Sequence, residues 1–163
     1  MAAPLHSLAG TTPSGDTGPS SAQNGSYYYY IEASSPRSSG DTFALRYTCP
    51  DEHAASLQLR WYYHMYGSGI GVLNVSVSEQ GIDGTWDHVW SKTGEQGDSW
   101  QSAFVTFKPT AAEKGKLYRW MRFTTVNLGS RGDLALDDAH VYHDTVPSAA
   151  PTTPAPTEVP TPG

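Results

Sequence analysis

Two adjacent aspartates near the end of the chain are the strongest candidates for metal chemistry. Asp137 and Asp138 follow the strand-like run "LAL" in "GDLALDDAHVY". Carboxylate oxygens are hard ligands that suit calcium, and a carboxylate that turns inward needs a partner. Because successive strand side chains point to opposite faces, only one of the two can easily turn inward. The pattern predicts either a structural cation site or one aspartate that caps a turn beside a solvated one. Glu32 and Asp41 are further candidate ligands.

Histidines are the residues that could supply acid–base chemistry. His64 lies in "RWYYHMYGSGIG", and a hydrolase would need a nucleophile and an orienting carboxylate to converge on it. We interpret His64 instead as a strand residue whose polar tip is hydrogen-bonded or partly exposed. A secreted hydrolase that uses His64 or His88 stays an alternative. Four histidines do not have the spacing of a zinc protease motif, which argues against that class; they are His53, His88, His140 and His143.

Two further motifs resemble binding determinants. The "RGD" run at residues 131–133 resembles an integrin-recognition tripeptide, and we interpret it as a turn before the last strand. Trp86, Trp90 and Trp100 could stack against sugar rings. Because the glycines between them permit tight backbone turns, we interpret these tryptophans as sealing the edge of a sandwich.

Alternation with period two predicts β-strands as the elements that position these residues. No window of eleven or more residues repeats apolar positions with helical spacing, whereas several short runs alternate. The alternating runs are Leu57–Met65, 73–77, 104–108 and 117–123. Turn signals rich in Gly, Asp, Ser and Pro separate them at intervals of roughly ten to fifteen residues. This pattern is typical of an all-β antiparallel sandwich, of the jelly-roll or immunoglobulin-like type.

Composition divides the chain of 163 residues into one domain and two flanking segments. Residues 1–25 have few large apolar groups and are expected to form a flexible lead-in. Residues 26–144 are expected to form the folded domain, and the Pro/Thr-rich residues 145–163 a stiff linker or stalk. The net charge of −6, with scattered basic residues, argues against a nucleic-acid partner. No apolar run has the roughly 18 residues that a membrane span needs, and no secretory signal is visible.

Cysteine content and sequons bear on the compartment. Cys49 is the only cysteine, which excludes an intrachain disulfide and a cysteine-rich zinc site. The sequons at Asn24 and Asn74 could accept glycans in a secreted protein, and the C-terminal segment is mucin-like. These two features favour an extracellular glycoprotein over the reducing compartment that cysteine content alone would suggest.

Four collinear stretches resemble the MAM family, an extracellular module of meprins, neuropilins and mu-type receptor tyrosine phosphatases. The stretches are "TPSGDTGPSSAQNGSYYYYIEASSPRSSGD", "LQLRWYYHMYGSGIGVLNV", "VWSKTGEQGDSW" and "GDLALDDAHVY". The resemblance covers about 130 residues in the family's order and implies a jelly-roll, concanavalin-like sandwich. It also implies adhesion or protein–protein interaction without catalysis, at the cell surface, as part or fragment of a larger membrane protein. The implied partner is a second copy or another cell-surface protein. A carbohydrate-binding module is the alternative function.

Departures from the family pattern lead to four further expectations. The family's first strand, with its Phe-Glu motif, is absent from the sequence, so we expect an uncovered sheet edge or strip of core. The family's later cysteine pair corresponds to Gln58 and a position near Thr145, so both members are lost together. Cys49 stands where the family has serine and is expected to be an unpaired, semi-buried thiol. In related modules, one such aspartate holds a calcium ion together with a glutamate of the first strand. Because that strand is absent from the sequence, the resemblance implies an incomplete cation site.

Overall fold

A computed structural model describes residues 6–48, 57–80, 83–107, 120–126 and 128–143. These residues form nine β-strands, and the described part of the chain contains no α-helix. The strands are β1 (His6–Leu8), β2 (Tyr28–Ile31), β3 (Thr42–Thr48), β4 (Leu57–Met65), β5 (Val72–Ser78), β6 (Asp87–Thr93), β7 (Gln101–Phe107), β8 (Trp120–Val126) and β9 (Leu134–His143). The all-β prediction is therefore confirmed.

The strands form two sheets that pack face to face. The five-stranded sheet has the order β1-β2-β9-β4-β7, and the four-stranded sheet has the order β3-β8-β5-β6. All the strand pairs are antiparallel. The longest register joins β4 to β9, and it contains an irregularity between Arg60 and Tyr62. The predicted antiparallel sandwich of jelly-roll type is confirmed.

The core lies between the sheets because one parity of each strand faces inward. In β4 the predicted inward set is buried: Leu59, Trp61, Tyr63 and Met65 are each at most 5% exposed. The facing sheet contributes Leu73, Val75, Val77, Met121 and Phe123. The Trp61 ring makes edge contacts with Trp90 and Phe123, at centroid distances of 4.9 and 5.5 Å. Alternation thus predicted which side chains build the core.

The glycine-rich turn "GSGIG" after β4 is required by close backbone contacts. Gly67 has a φ of +129°, in the range that favours glycine, and a Cβ there would overlap the carbonyl oxygen of Arg131. A Cβ on Gly71 would overlap the carbonyl oxygen of Val126. Both positions therefore let the chain pass from the five-stranded sheet to the four-stranded one in close contact with the loop at Arg131 and with the end of β8.

The segment expected as a flexible lead-in packs on the sandwich from residue 6 onward. Strand β1 pairs with β2 over three residues. Thr12, Thr17 and Pro19 are buried, and the Thr17 hydroxyl donates a hydrogen bond of 2.9 Å to the carbonyl oxygen of Tyr66. The expectation based on low apolar content was wrong for this segment. Its small polar residues are held by hydrogen bonds rather than by burial of large side chains.

An inter-sheet cleft opens between β3 and the second half of β9. It has a volume of about 660 Å³ and is lined by inward-facing residues that include Leu45, Tyr47, Leu59, Met121 and Val141. Strand β1 covers the edge next to β2. The core residues at the base of the cleft are buried, with Leu59 at 2% and Met121 at 1% exposed, so the uncovered strip of core stays a prediction. Cys49, His53, Thr145 and the predicted linker 145–163 lie outside the described residues.

Candidate functional site

One half of the outer face of the five-stranded sheet is covered by loops. Tyr28, Tyr30 and Ala135 point outward and are buried, with Ala22 and Trp100 packed against them. The Trp100 indole Nε1 donates a hydrogen bond of 2.9 Å to the carbonyl oxygen of Ser21. These contacts hold the loop before β2 and the loop before β7 against the sheet. We call this small second core the covered half.

His64 belongs to the covered half, and among the described residues its ring is hydrogen-bonded to no nucleophile. Its side chain is only 2% exposed, and its ring contacts those of Trp100 and Tyr66. Its Nε2 lies 3.3 Å from Asp98 Oδ1, while its Nδ1 has no hydrogen-bond partner among the described residues. Burial lowers the pKa of His64, and the Asp98 carboxylate opposes that shift. Of the two expected environments, the structure shows the hydrogen-bonded one, because the loops that cover this face bring Asp98 to the ring.

The "RGD" turn places its aspartate in the interior beside Glu32. Asp133 is 0% exposed, and its Oδ1 accepts a hydrogen bond of 2.8 Å from the Ala33 backbone N–H. Its Oδ2 is buried without a hydrogen-bond partner in the described structure. Burial, and to a lesser extent the charge of Glu32, raises the pKa of Asp133 to about 6. An integrin cannot reach this carboxylate, which agrees with the interpretation as a turn.

The four predicted metal ligands have separate partners. Asp137 accepts hydrogen bonds from the backbone N–H groups of residues 23 and 24, at 2.8 and 3.0 Å. Asp138 Oδ1 lies 2.6 Å from His140 Nε2. Glu32 accepts from the hydroxyls of two serines, and Asp41 accepts from the Ser38 N–H within its own turn. The described residues contain no group of three or more His, Cys, Asp or Glu side chains suited to a metal ion. The residues present therefore do not fit the implied calcium site, and Asp137 acts as a cap.

The three candidate tryptophans lie on different surfaces. Trp90 packs in the core against Trp61, Trp100 belongs to the covered half, and Trp86 lies over the outer face of the four-stranded sheet. They therefore do not form a common stacking platform.

The other half of the outer face of the five-stranded sheet is uncovered, and we call it the open face. It is a grid of side chains on β7, β4 and β9, fixed by strand register. Its rows are Thr106, Gln58 and Tyr142; Phe104, Arg60 and His140; and Ser102 with Tyr62. Most of these residues line a shallow pocket of about 360 Å³ that Asp138 also lines; Gln58 and Thr106 lie outside its lining. Two large rings are well exposed, Phe104 at 64% and Tyr142 at 51%.

Arg60 occupies the centre of the open face and is held in place by its neighbours. Its Nε donates a hydrogen bond of 2.6 Å to Gln58 Oε1, and Gln58 Nε2 donates one of 3.1 Å to Thr106 Oγ1. The guanidinium lies 6.0 Å from the Phe104 ring centroid and 5.4 Å from that of Tyr142. Aromatic rings therefore flank an arginine that is held in place by hydrogen bonds. Aromatic residues and arginine are enriched in protein interfaces.

Sequence reasoning did not single out the open face. Alternation in β4 and β7 does place Gln58, Arg60, Phe104 and Thr106 on the side away from the core. The sequence gives no sign, however, that β9 lies on one side of β4 and β7 on the other.

The two sequons differ in accessibility. Asn24 is exposed in the loop before β2. Asn74 is half-buried within β5, where it pairs with Ser91 and Thr124 on the neighbouring strands. Glycosylation at both positions stays a prediction.

Two packed antiparallel sheets in jelly-roll order, with one outer face half open, define the class as a β-sandwich module. The chain belongs to the MAM family: the family model described as "MAM domain, meprin/A5/mu" matches residues 6–145. The match includes residues 6–25, which supports placing that segment within the domain. Membership makes the chain a module of the extracellular or cell-surface kind, as the sequence resemblance implied. Within the described residues, no helix is long and apolar enough to cross a membrane.

Relatives share this module as a small part of their length. MAM domain-containing glycosylphosphatidylinositol anchor protein 1 of Gallus gallus is 35% identical over 76% of this chain and 13% of its own length. Thyroid hormone-induced protein B of Xenopus laevis is 33% identical over 82% of this chain and 19% of its own length. The chain therefore spans less than a fifth of these relatives.

Solved structures share the fold at low identity. The K2 cleaved adhesin domain of Lys-gingipain matches with a TM-score of 0.60 and 16% identity, over 86% of this chain and 82% of that one. A carbohydrate-binding and xylanase structure from Clostridium thermocellum, CBM22-1-GH10 of Xyn10B, matches with a TM-score of 0.54 and 16% identity, over 90% of this chain and 26% of that one. These likenesses support the sandwich fold.

Proposed function

We propose that the chain is a non-catalytic module for adhesion or protein–protein interaction at the cell surface, and that it binds through the open face. The observation that carries this proposal is the exposure of Phe104 and Tyr142 on either side of the fixed Arg60. Aromatic and arginine anchors that become buried on binding dominate interface energies, and here two rings flank one arginine on a single uncovered face. The partner is a second copy of the chain or another cell-surface protein. Relatives named as glycosylphosphatidylinositol anchor proteins support this location.

We expect the double variant Phe104→Ala, Tyr142→Ala to weaken binding at least about tenfold, because each change removes an exposed anchor. Beads coated with the chain would be scored for self-aggregation and for adhesion to cultured cells, before and after trypsin removes surface proteins. Tyr27→Ala is the matched control, since Tyr27 is 66% exposed and lies off the open face. Equal loss of binding in the control and the double variant, or no adhesion by the parent chain, would contradict the proposal.

A carbohydrate partner is the second candidate function. The observation that favours it is the mixture of exposed rings and polar side chains around the shallow pocket on the open face. Sugar rings stack on aromatic faces while hydroxyls bond to groups such as Gln58 and Ser102. Under this alternative, a glycan array gives a defined set of ligands, and adhesion survives trypsin but is lost after glycosidase treatment. An array with no response would exclude it.

A further inference from the structure

Two arginines lie directly opposite each other on the outer face of the four-stranded sheet. Arg46 in β3 and Arg122 in β8 are Cα partners in the antiparallel register. Their strand neighbours Leu45, Met121 and Phe123 face the core, so alternation directs both arginines outward. We call Arg46 and Arg122 the arginine pair. It lies on the opposite side of the sandwich from the open face.

Arg122 is held in an unusual environment for a surface cation. Its guanidinium stacks over the Trp86 ring at 4.2 Å from the ring centroid. Its Nε is buried and has no hydrogen-bond partner in the described structure. Burial lowers the pKa of Arg122, and the charge of Arg46 adds to that effect. One donor of the Arg122 guanidinium, its Nε, therefore has no acceptor in the described structure.

No acidic residue compensates the arginine pair within the part of the chain that the structure describes. The ion pairs found there involve His64, Arg131 and His140, and neither Arg46 nor Arg122 takes part in one. Like charges directly opposite on neighbouring strands are destabilising. An anion placed between the two guanidinium groups would remove that repulsion and accept hydrogen bonds from their terminal N–H groups.

The register extends this row of side chains to a histidine on the far strand of the sheet. Arg122 is opposite Ser76 in β5, and Ser76 is opposite the exposed His88 in β6. Because neighbouring strands lie about 4.8 Å apart, the row from Arg46 to His88 covers about 14 Å. That length accommodates more than one anionic group of an extended ligand.

From this geometry we infer that the arginine pair, with His88 at the end of its row, binds sulfate ester groups of a sulfated glycan. Guanidinium forks match oxyanions by bidentate hydrogen bonds, and Arg122 is already oriented by Trp86. A sulfated glycan is a polyanion that an extracellular module encounters. Since the chain has a net charge of −6, attraction depends on this local row rather than on the overall field. The site is independent of the interaction proposed for the open face.

The test is the affinity for a heparin-derived hexasaccharide at low salt, measured by isothermal titration calorimetry. The chain is made in bacteria, so that Asn74, on the same sheet, carries no glycan. We expect Arg46→Gln to weaken binding about tenfold, and the Arg46→Gln, Arg122→Gln variant to show no measurable binding. Arg131→Gln is the matched control, because it removes the same charge from an exposed arginine outside the row. It is expected to bind like the parent chain.

Three further measurements test the preference for sulfate and the folding of the variant. A chemically desulfated hexasaccharide keeps its carboxylates and is expected to bind at least about tenfold more weakly; equal binding would overturn the assignment to sulfate. Sodium sulfate is expected to raise the Tm of the parent chain more than that of Arg46→Gln. Arg46→Gln without ligand is expected to keep or raise the parent Tm, since it removes a repulsion, so its loss of binding cannot come from unfolding. Absence of hexasaccharide binding by the folded parent chain, or an equal loss in Arg131→Gln, would also overturn the inference.

Discussion

Trp61→Ala is expected to lower the free energy of unfolding by about 4 kcal/mol, because deleting a large buried ring removes its transfer energy and leaves a cavity. Trp61 is 1% exposed, lies at the centre of β4 and packs edge-on against Trp90 and Phe123. A domain of this size has a total stability of about 5–15 kcal/mol, so the variant is expected to be marginally folded. Urea denaturation followed by far-UV circular dichroism measures the change.

Phe104→Ala is the control for that experiment. Phe104 lies on the neighbouring strand β7 and is 64% exposed. Its truncation is expected to change the unfolding free energy by less than about 0.5 kcal/mol. If Trp61→Ala and Phe104→Ala unfold at the same urea concentration, the inward and outward faces of β4 and β7 are assigned incorrectly. The same urea measurement on the Phe104→Ala, Tyr142→Ala double variant shows whether lost adhesion comes from misfolding.

Asp133→Asn is expected to change the pH dependence of stability. The pKa of Asp133 is raised from 3.8 to about 6 in the folded chain. Between these values the folded chain retains a proton that the unfolded chain releases, so stability falls as pH rises through this window. The shift corresponds to about 3 kcal/mol that is present at low pH and lost above pH 6. Asparagine does not ionise, so the variant is expected to be more stable than the parent chain at pH 7.5.

His64 acts in the opposite direction over a neighbouring pH range. Its pKa is lowered from 6.5 by burial, so its neutral form stabilises the fold and that stability is lost as pH falls below 6.5. The carboxylates that face these groups are Asp98 beside His64 and Glu32 beside Asp133. In the parent chain the two titrations oppose each other. In Asp133→Asn only the His64 effect remains, so acidification is expected to destabilise the variant.

Urea unfolding at pH 4.5, 5.5, 6.5 and 7.5, followed by tryptophan fluorescence, tests this prediction. The decisive quantity is the difference in unfolding free energy between the variant and the parent chain at each pH. We expect this difference to grow as the pH rises from 4.5 to 6.5 and then to become constant. A difference that is independent of pH would show that Asp133 titrates at its ordinary value.

The fold was predictable because its main signal is local. Alternation along β4 placed Leu59, Trp61, Tyr63 and Met65 on one face, and the structure buries all four. Turn residues divided the chain at nearly every strand boundary. The lead-in was mispredicted because residues 9–25 are held by hydrogen bonds from Thr12, Thr17 and backbone groups, which composition does not register.

The sites depended on contacts between residues far apart in the chain. Asp137 looked like a metal ligand by its type, whereas its partners are backbone groups 113 and 114 residues away. His64 was expected to be hydrogen-bonded or partly exposed on the outer face, and a loop containing Trp100 and Asp98 covers it. In each case the residue type was informative, and its surroundings were set by the packing of distant segments.

The sequence by itself indicated strands β4, β5, β7 and β8, the inward face of β4 and the family, because strand alternation and family motifs depend on residues that are close together in the chain. Only the tertiary structure decided which outward side chains share a surface. Strand order places Phe104, Arg60 and Tyr142 on one open face, and Arg46 opposite Arg122 on the other sheet. The physical reason is that lateral strand pairing is fixed by the packing of the two sheets, which joins residues far apart in sequence into single binding surfaces.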